Sequence, residues 1–257
     1  MSYFTVGYRL PNFLSASLFG DRKRFGLNVQ PDDPCWKEWQ KTYLNFYYAN
    51  QKKSIGKIVN DAGYKVMSKF NLEGKKILEI GPGDISHINN WKGRPSSYVI
   101  ADVKQEMLDR TSAKLKKCNI SHSTRLLVEG DLGNLPFEDE EFDALIAFYA
   151  FEHLYPFPEY LQNMMRVLKK KGKIVGAIPC EGGLAWGMGR LVTSRRWLKK
   201  NTTINPDKII CWEHPNFAGT ILKTLDARMK RCYMSFWPLS IHVIDLNLVI
   251  KFIYEKI

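Results

Sequence analysis

The chain lacks the features that would direct it into a membrane, around a metal ion or into an oxidising compartment. No apolar run is long enough to span a bilayer, and the first twenty residues lack the charged start and apolar core of a leader. The five cysteines are widely spaced and include no CxxC pair, which argues against a zinc site and for reduced thiols. We therefore expect a soluble cytoplasmic protein that holds no metal.

A long block of like charge is also missing. The formal net charge is +12 and 13% of the residues are aromatic, but the basic residues occur as short clusters such as 169–171 and 195–196. Clusters of this size are typical of solvated helix ends. Nucleic acid is therefore not expected as a partner, whereas a small anionic molecule is compatible with the charge.

The middle of the chain alternates between apolar, strand-like runs and segments with helical periodicity. Strands separated by helices predict a mostly parallel sheet that is covered on both faces, which is a doubly wound α/β core. The last two runs predict an antiparallel pair at one edge. The predicted strands are 77–80, 97–102, 125–131, 142–151, 173–179, 232–237 and 246–255.

Two regions depart from this alternation. Residues 1–70 combine an irregular, proline-containing arm with one or two helices that carry an aromatic stripe, and we expect them to cover the site. Residues 71–257 form the main domain. Within it, residues 180–215 interrupt the pattern after the fifth strand, and we expect this insertion to lie on the substrate side.

A glycine turn follows the first strand. Gly81, Pro82 and Gly83 end the strand, and glycine allows a ligand to approach the backbone because it has no Cβ. Glu79 lies inside the apolar strand, where a carboxylate needs a partner. The turn lacks the GxGxxG pattern that binds a pyrophosphate. Ser86 stands where this pattern has its third glycine, and Pro82 occupies the position between the first two glycines. An ordinary tight turn remains the structural alternative.

Two further carboxylates follow the next predicted strands. Ligands of open α/β sheets bind at the carboxyl ends of the strands, where Asp102 and Asp131 are predicted to lie. The two oxygens of Asp102 suit the two hydroxyls of a ribose, and Asp131 followed by Leu132 suits the amine and ring of adenine. Separate helix caps or salt bridges would be the structural alternative.

With these residues in place, the chain resembles the class I S-adenosylmethionine-dependent methyltransferases, in particular the type 11 branch that acts on small molecules. The resemblance covers about residues 75–179, with a looser match to the end of the chain. Ile85 departs from the pattern because it stands where a third glycine often occurs. Further segments follow the order of that branch: 135–137, 142–143, 152–154 and 166–168.

This resemblance implies a Rossmann-like seven-stranded sheet with strand order 3-2-1-4-5-7-6. It also implies S-adenosyl-L-methionine as the cofactor, S-adenosyl-L-homocysteine as the product, and a set of cofactor contacts around the glycine turn and the following strand ends. The residues implied to contact the cofactor are Glu79, Gly81, Pro82, Gly83, Asp102, Val103, Asp131, Leu132 and Phe148.

Methyl transfer depends mainly on alignment of the acceptor, and a base is needed only for a hydroxyl or a protonated amine. His153 is the best candidate for that base, because it follows the fourth strand and a histidine titrates near neutral pH. Glu152 is adjacent and Tyr149 is nearby, so both join it as catalytic candidates. Packing at the strand end is the alternative for His153.

The insertion supplies the predicted substrate contacts. His214 lies at its end, where it could cover a substrate, although a loop in which Asn216 caps the next helix would explain the same residues. Arg195 and Arg196 could bind a phosphate or carboxylate, and the alternative for them is plain exposed surface.

We therefore predict O- or N-methylation of a small-molecule or glycan-linked acceptor. An RNA methyltransferase is the first alternative, but base-amine methylators usually carry Asn/Asp-Pro-Pro-aromatic after the fourth strand, where this chain has residues 148–151 as Phe-Tyr-Ala-Phe. A nicotinamide-dependent oxidoreductase and a protein that binds the cofactor without catalysis remain further alternatives.

Overall fold

The computed structural model describes residues 3, 5–47, 54–128 and 135–257. Its centre is a seven-stranded sheet with the order β3-β2-β1-β4-β5-β7-β6, as predicted. The first five strands in chain order are parallel, and β7 pairs antiparallel with both β5 and β6. The strands are β1 Lys76–Ile80, β2 Ser97–Asp102, β3 His122–Leu126, β4 Phe142–Phe148, β5 Leu168–Pro179, β6 Met229–Trp237 and β7 Val249–Lys256.

Strand β3 differs from its prediction. The apolar residues at 126–128 placed the expected strand at 125–131, but the observed strand is the more polar segment His122–Leu126. β3 is an edge strand, and most of its side chains are exposed, so burial does not require apolar residues there. The apolar residues that follow it line the cavity described below. β3 therefore ends at Leu126, and Asp131, which was predicted to end it, lies outside the described residues.

Helices cover both faces of the sheet. The expected irregular arm contains two short helices, and Pro34 occupies the first turn of α3, where a missing N–H costs nothing. The helices are α1 Asn12–Phe19, α2 Arg22–Phe25, α3 Pro34–Phe46, α4 Ser54–Tyr64, α5 Gln105–Lys117, α6 Phe157–Val167, α7 Leu184–Val192, α8 Ser194–Asn201, α9 Pro206–Glu213 and α10 Ala218–Arg228.

The core has a separate layer on each face of the sheet, because alternate strand residues point to opposite sides. In β1, Leu78 and Ile80 join the layer that includes α6 and α10, whereas Ile77 joins the layer that includes α4 and α5. A third apolar cluster lies outside the sheet, where Trp36 of α3 meets Leu198 of α8 and Trp212 of α9. This third cluster forms a wall beyond the carboxyl ends of the parallel strands.

None of the helices in the described ranges combines the length and the apolar character needed to cross a bilayer.

Candidate active site

A cavity of about 1430 Å³ opens at the carboxyl ends of β1, β2 and β4. Pockets for a single small ligand usually measure about 300–1,000 Å³, so this cavity has room for two ligands side by side. We call the part lined by Gly81–Gly83 and 102–104 the glycine end. The histidine end is lined by Glu152, His153, Arg190, Glu213 and His214.

Backbone conformation keeps the glycine end open. Gly81 and Gly83 have φ values of +63° and +56°, in the left-handed region that favours glycine. A Cβ on Gly83 would lie 3.0 Å from the hydroxyl of Tyr47, and one on Gly81 would lie 3.3 Å from the Cβ of Ala150. Any larger residue at these two positions would therefore narrow the cavity as well as strain the turn.

Helix α5 holds this turn in place. The hydroxyl of Thr111 donates to the carbonyl of Gly83 at 2.7 Å, and the Lys114 ammonium donates to the carbonyl of Asp84 at 3.0 Å. Ile85, which replaces the third glycine of the motif, adopts a φ of +42° and is fully buried. The chain thus keeps the left-handed conformation without the glycine, and buried contacts of the isoleucine side chain offset the strain.

Glu79 has a different role from the one that the resemblance implied. Its carboxylate is fully buried, and it contacts His87 Nε2 at 2.7 Å through one oxygen and the hydroxyl of Tyr98 at 2.7 Å through the other. Strand alternation turns Glu79 away from the cavity, together with Ile77. The carboxylate therefore anchors β1 to β2 and to the turn that contains His87, and it does not line the cavity.

The remaining described cofactor candidates do lie at the cavity. Pro82, Asp102, Val103 and Phe148 line it, as the two glycines do. One carboxylate oxygen of Asp102 accepts from the backbone N–H of Lys104 at 2.9 Å, and burial raises the pKa of this carboxyl despite that bond. Asp131 and Leu132 lie outside the described residues, so their predicted contact with adenine stays a prediction.

Helix α3 lies over the glycine end. The Lys104 ammonium sits 3.4 Å from the ring centroid of Tyr43, and Tyr43 stacks on Tyr47 with 6.1 Å between centroids. Tyr47 in turn approaches Gly83. A ligand bound along Asp102 would therefore lie beneath aromatic side chains of the N-terminal region.

At the histidine end, Glu152 is the most unusual group. The residue is 1% exposed, it lines the cavity, and its Oε2 atom has no hydrogen-bond partner in the described part of the chain. Burial raises the pKa of this carboxyl to about 7. A buried carboxyl without a partner is costly, and such groups are concentrated at functional sites.

His153, the next residue, is paired with Glu213. Its Nδ1 lies 3.2 Å from Glu213 Oε2, and the indole N–H of Trp39 donates to the other oxygen of Glu213. Desolvation opposes the charged imidazole, although the side chain is 35% exposed, and the contacts with Glu213 and Glu152 outweigh it and raise the pKa of His153 to about 9. Despite burial, the His153 hydrogen bond lowers the pKa of Glu213 to about 2. The pair is therefore ionic at neutral pH.

His214 is held in the opposite charge state. Its Nδ1 lies 2.8 Å from Glu181 Oε2 and 3.2 Å from Arg190 Nη2, and Arg190 also donates two hydrogen bonds, of 2.8 and 2.5 Å, to the Glu181 carboxylate. Burial is the main cause that lowers the pKa of His214 to about 4, although Glu181 opposes it. The rings of His153 and His214 meet edge to face at 4.7 Å, so one charged and one neutral imidazole stand side by side.

Tyr149 lines the cavity but its hydroxyl is already engaged. It donates to the backbone carbonyls of Val59 and Asn60, at 3.0 and 3.1 Å, and burial raises its pKa well above the usual value. The backbone at Tyr149 has a φ of +53°, which turns the chain out of β4. The structure thus gives Tyr149 a contact that fixes α4 against the end of β4, which differs from the expected catalytic role.

The two arginines expected to bind substrate are placed elsewhere. Arg195 is buried, pairs with Asp207 and donates to the carbonyl of Ala16 at 2.9 Å, so it joins α8 to α9 and α1. Arg196 is exposed, and neither residue lines the cavity. The arginine that does reach the cavity is Arg190, one helix earlier. Arg195 and Arg196 therefore give no support for an anionic substrate.

Distant segments hold the histidine end together. The amide of Asn216 donates to the carbonyls of Phe151 and Leu154 at 3.0 and 2.7 Å, so it fixes the loop that carries Glu152 and does not cap α10. Arg22 donates to the carbonyls of His214 and Pro215 at 2.7 Å each. The N-terminal arm thus orients a loop that lies almost two hundred residues away along the chain.

Glu181, Arg190 and Glu213 were not predicted as site residues. Glu181 and Arg190 carried a usable signal, since a glutamate directly after an apolar strand and an arginine on the apolar helix α7 both need partners when buried. The contact between Glu213 and Trp39 had no such signal, because it joins segments from opposite ends of the chain.

Comparisons with known proteins agree with this geometry. Residues 78–176 match the family described as Methyltransferase domain. The phthiotriol/phenolphthiotriol dimycocerosates methyltransferase of Mycobacterium leprae is 35% identical over 119 residues, which cover 44% of this chain and 41% of that protein. The ubiquinone/menaquinone biosynthesis C-methyltransferase of Idiomarina loihiensis is 30% identical over 105 residues, covering 40% of this chain and 41% of the relative.

Residues 78–176 are thus similar to a methyltransferase domain, and the strand order is the one that the resemblance to class I S-adenosylmethionine-dependent methyltransferases implied. The chain spans less than half the length of the curated relatives that it matches. Among solved structures, the methyltransferase domain and its surroundings share the fold of a Pyrococcus horikoshii protein, with a TM-score of 0.54, 15% identity and coverage of 84% and 99% of the two chains. The cyclase SpnF has the same fold, with a TM-score of 0.53, 11% identity and coverage of 78% and 80%.

Proposed function

We propose that the protein transfers a methyl group from S-adenosylmethionine to a small-molecule acceptor that has an apolar part. The observation that carries this proposal is a continuous cavity that runs from the glycine end of the region similar to a methyltransferase domain to the buried carboxyl of Glu152, whose Oε2 atom has no hydrogen-bond partner among the described residues. Because the fold is shared with a cyclase, the proposal depends on these residues and not on the fold.

The glycine end fits the cofactor. The cradle at Gly81 and Gly83 would be filled by any Cβ, and the Asp102 carboxylate at the end of β2 suits the ribose hydroxyls. When bound, the cofactor supplies an activated methyl group on a sulfonium. The protein then contributes mainly by placing the acceptor in line with that group.

The wall of the cavity supports an acceptor with an apolar part. Side chains of α3, α8 and α9 line it with aromatic and aliphatic groups beside the histidine end, among them Trp36, Trp39, Leu198, Ile209 and Trp212. Such a lining favours hydrophobic ligands, with a few polar groups that fix their orientation. In this arrangement residues 1–70 cover the site, and residues 180–215 form its acceptor side.

The polar groups of the histidine end have different roles when the acceptor loses its proton. Glu152, with a pKa near neutrality and an Oε2 atom that has no hydrogen-bond partner within the described ranges, accepts the proton from the attacking group. His153, whose positive charge Glu213 stabilises, donates a hydrogen bond to an oxygen of the acceptor. The neutral His214 contacts the acceptor beside it. The role of general base, for which the sequence analysis favoured His153, is therefore given to Glu152.

The names of the relatives are compatible with such acceptors. They refer to phthiotriol/phenolphthiotriol dimycocerosates in one group and to a C-methyltransferase of ubiquinone/menaquinone biosynthesis in another. A hydroxyl acceptor would use a base at Glu152. We place the reaction in the cytoplasm, a location supported by five unpaired cysteines.

Incubation with methyl-labelled S-adenosylmethionine and fractionated cell extract tests the proposal. We expect label in organic-solvent-extractable metabolites, and we expect Glu152→Gln to abolish most of this transfer while Glu159→Gln, an exposed glutamate of α6, leaves it unchanged. Label in RNA would support the alternative nucleic-acid substrate. Absence of transfer to every fraction would contradict the proposed function.

A further inference from the structure

The outer face of helix α7 exposes large apolar side chains. Met188, Leu191 and Val192 are 62%, 40% and 69% exposed, and their spacing of three and four residues places them on one side of the helix. On α1, which packs against α7, Phe13 and Leu14 are 71% and 44% exposed. We call these five residues the apolar patch. Soluble surfaces rarely expose such a group unless it meets a partner.

The packing of α1 on α7 brings the two halves of the patch together. A Cβ on Gly187 would lie 2.9 Å from Leu18, so the helices are in close contact near the start of α7. Arg195, just beyond the end of α7, donates to the carbonyl of Ala16. These contacts place α1 beside α7 and the start of α8.

Positive charge surrounds this patch. Residues 5–25 and 184–201 contain nine lysines and arginines but only one acidic residue, Asp21. Three of the arginines are used inside the protein, as described above for Arg22, Arg190 and Arg195. The six exposed cations, none of which forms an ion pair within the described ranges, are Arg9, Lys23, Arg24, Arg196, Lys199 and Lys200.

The cations of α8 also share one face. Arg196, Lys199 and Lys200 are spaced by three and four residues and are exposed, while Leu198 of the same helix is buried in the wall of the cavity. Helix α8 begins two residues after α7 ends. An exposed apolar face on α7 is thus followed along the chain by an exposed basic face on α8, a combination typical of helices that lie in the interface of an anionic membrane.

We propose that the apolar patch and the basic face of α8 dock the protein on the surface of an anionic lipid bilayer. The apolar side chains would enter the boundary between headgroups and acyl chains, and the lysines and arginines would bind phosphate headgroups. A protein partner would not require a basic rim of one sign. The cation excess therefore favours an anionic bilayer over a second copy of this chain, which carries the same net charge of +12.

This surface stands directly outside the cavity. Gly189, Arg190, Thr193 and Ser194 line the cavity from the inner side of α7 and from the start of α8. Docking would therefore place the wall of the cavity against the bilayer, where an apolar acceptor is concentrated. Docking itself does not depend on the proposed methyl transfer, and the two are tested by separate measurements.

Flotation of the full chain with phosphatidylcholine vesicles, with and without phosphatidylglycerol, tests the proposal. We expect binding to the anionic vesicles that weakens as salt is raised. The double variant Met188→Ser/Val192→Ser should lower the partition coefficient at least about tenfold, because two exposed apolar side chains no longer enter the bilayer. Ile58→Ser, which removes an isoleucine that is 59% exposed on α4, should leave it unchanged.

A charge variant separates the two contributions. Replacing Arg196, Lys199 and Lys200 by glutamine should weaken binding to anionic vesicles about tenfold or more. Replacement of Lys116, Lys117 and Lys170, which are exposed elsewhere, removes the same charge and should have a much smaller effect. Circular dichroism confirms the fold of each variant.

Three results would overturn the proposal: no binding of the wild type to anionic vesicles, binding of the double and triple variants that equals that of the wild type, or a wild-type dimer that the Met188→Ser/Val192→Ser variant converts to a monomer. The last result would assign the patch to a second copy of the chain. Binding of S-adenosylhomocysteine, measured by calorimetry on the same variants, reports on the proposed function alone, since Met188 and Val192 do not line the cavity.

Discussion

The two ends of the cavity are built in different ways. The glycine end consists mainly of backbone and of one carboxylate, and its parts follow consecutive strands over about two dozen residues. The histidine end consists of side chains from segments that are far apart in the chain, with Trp39, Glu152, Arg190 and Glu213 as examples. The first end depends on local geometry, and the second depends on correct packing of the whole molecule.

Removal of the free carboxyl at Glu152 should produce the largest effect. Glu152→Gln keeps the shape of the side chain but cannot accept the acceptor proton, so we expect the turnover number to fall about 100- to 10,000-fold. The affinity for S-adenosylhomocysteine should not change, because that ligand belongs to the other end. Steady-state kinetics and calorimetry on one preparation would measure both quantities.

The pH dependence of the turnover number provides a control for this prediction. Glu152 must lose its proton to act as a base, so wild-type turnover should decrease as the pH falls below about 7. This limb should be absent from the residual activity of Glu152→Gln. A variant with normal turnover, or with the unchanged pH limb, would remove Glu152 from the mechanism.

A comparison of two arginines should give the next largest effect. Arg190→Met leaves the fully buried Glu181 carboxylate without its main partner, and breaking a buried ion pair in this way costs about 3–5 kcal/mol. Arg196→Met alters an exposed side chain and should change the free energy of unfolding by less than about 0.5 kcal/mol. Denaturant titration of both variants tests this, and equal effects would contradict the assignment of Arg190 to the histidine end.

Asp102 provides the matching test of the glycine end. Asp102→Asn removes the charge that the ribose hydroxyls would meet, and loss of hydrogen bonds to a charged group costs about 1.5–3 kcal/mol. We therefore expect affinity for S-adenosylhomocysteine to fall about 10- to 100-fold. Asp109→Asn, on the exposed side of α5, serves as the control. Unchanged affinity of Asp102→Asn in calorimetry would refute the ribose assignment.

The smallest effect concerns the stability contributed by the pair of His153 and Glu213. The pKa of His153 is raised from 6.5 to about 9 on folding, so its contribution is complete below about pH 6.5 and disappears as the pH rises through 9. The stability difference between the wild type and His153→Gln should therefore shrink between pH 6.5 and 9. Thermal unfolding across this range measures it, and a difference that grows with pH would contradict the ionic pair.

The same contrast explains what the sequence could predict. Glycines and strand-end aspartates have local signatures, so the glycine turn and the position of Asp102 were predicted from the residues, whereas the strand order came from the family resemblance. Glu79 was expected to line the cavity because the resemblance implies that a residue at this position of the motif contacts the cofactor. Its direction depends on the pleat of β1 and on the partners His87 and Tyr98, which supply both hydrogen bonds on the opposite face.

The direction of each side chain also determines which arginine lines the cavity. Arg190, Arg195 and Arg196 lie within seven residues, and sequence alone gave preference to the adjacent pair. The break between α7 and α8 turns Arg195 toward α1 and leaves Arg196 in solvent, whereas Arg190 faces Glu181. Long-range contacts of this kind depend on how the N-terminal arm and the insertion pack together, which no local pattern encodes.

Calorimetric titration of the wild-type protein with S-adenosylhomocysteine and, separately, with NAD tests the central claim most directly. The structure predicts one S-adenosylhomocysteine site per chain and no measurable heat of binding with NAD, because the glycine turn lacks the spacing that seats a pyrophosphate. Failure to bind S-adenosylhomocysteine, or saturable binding of NAD in its place, would contradict the account.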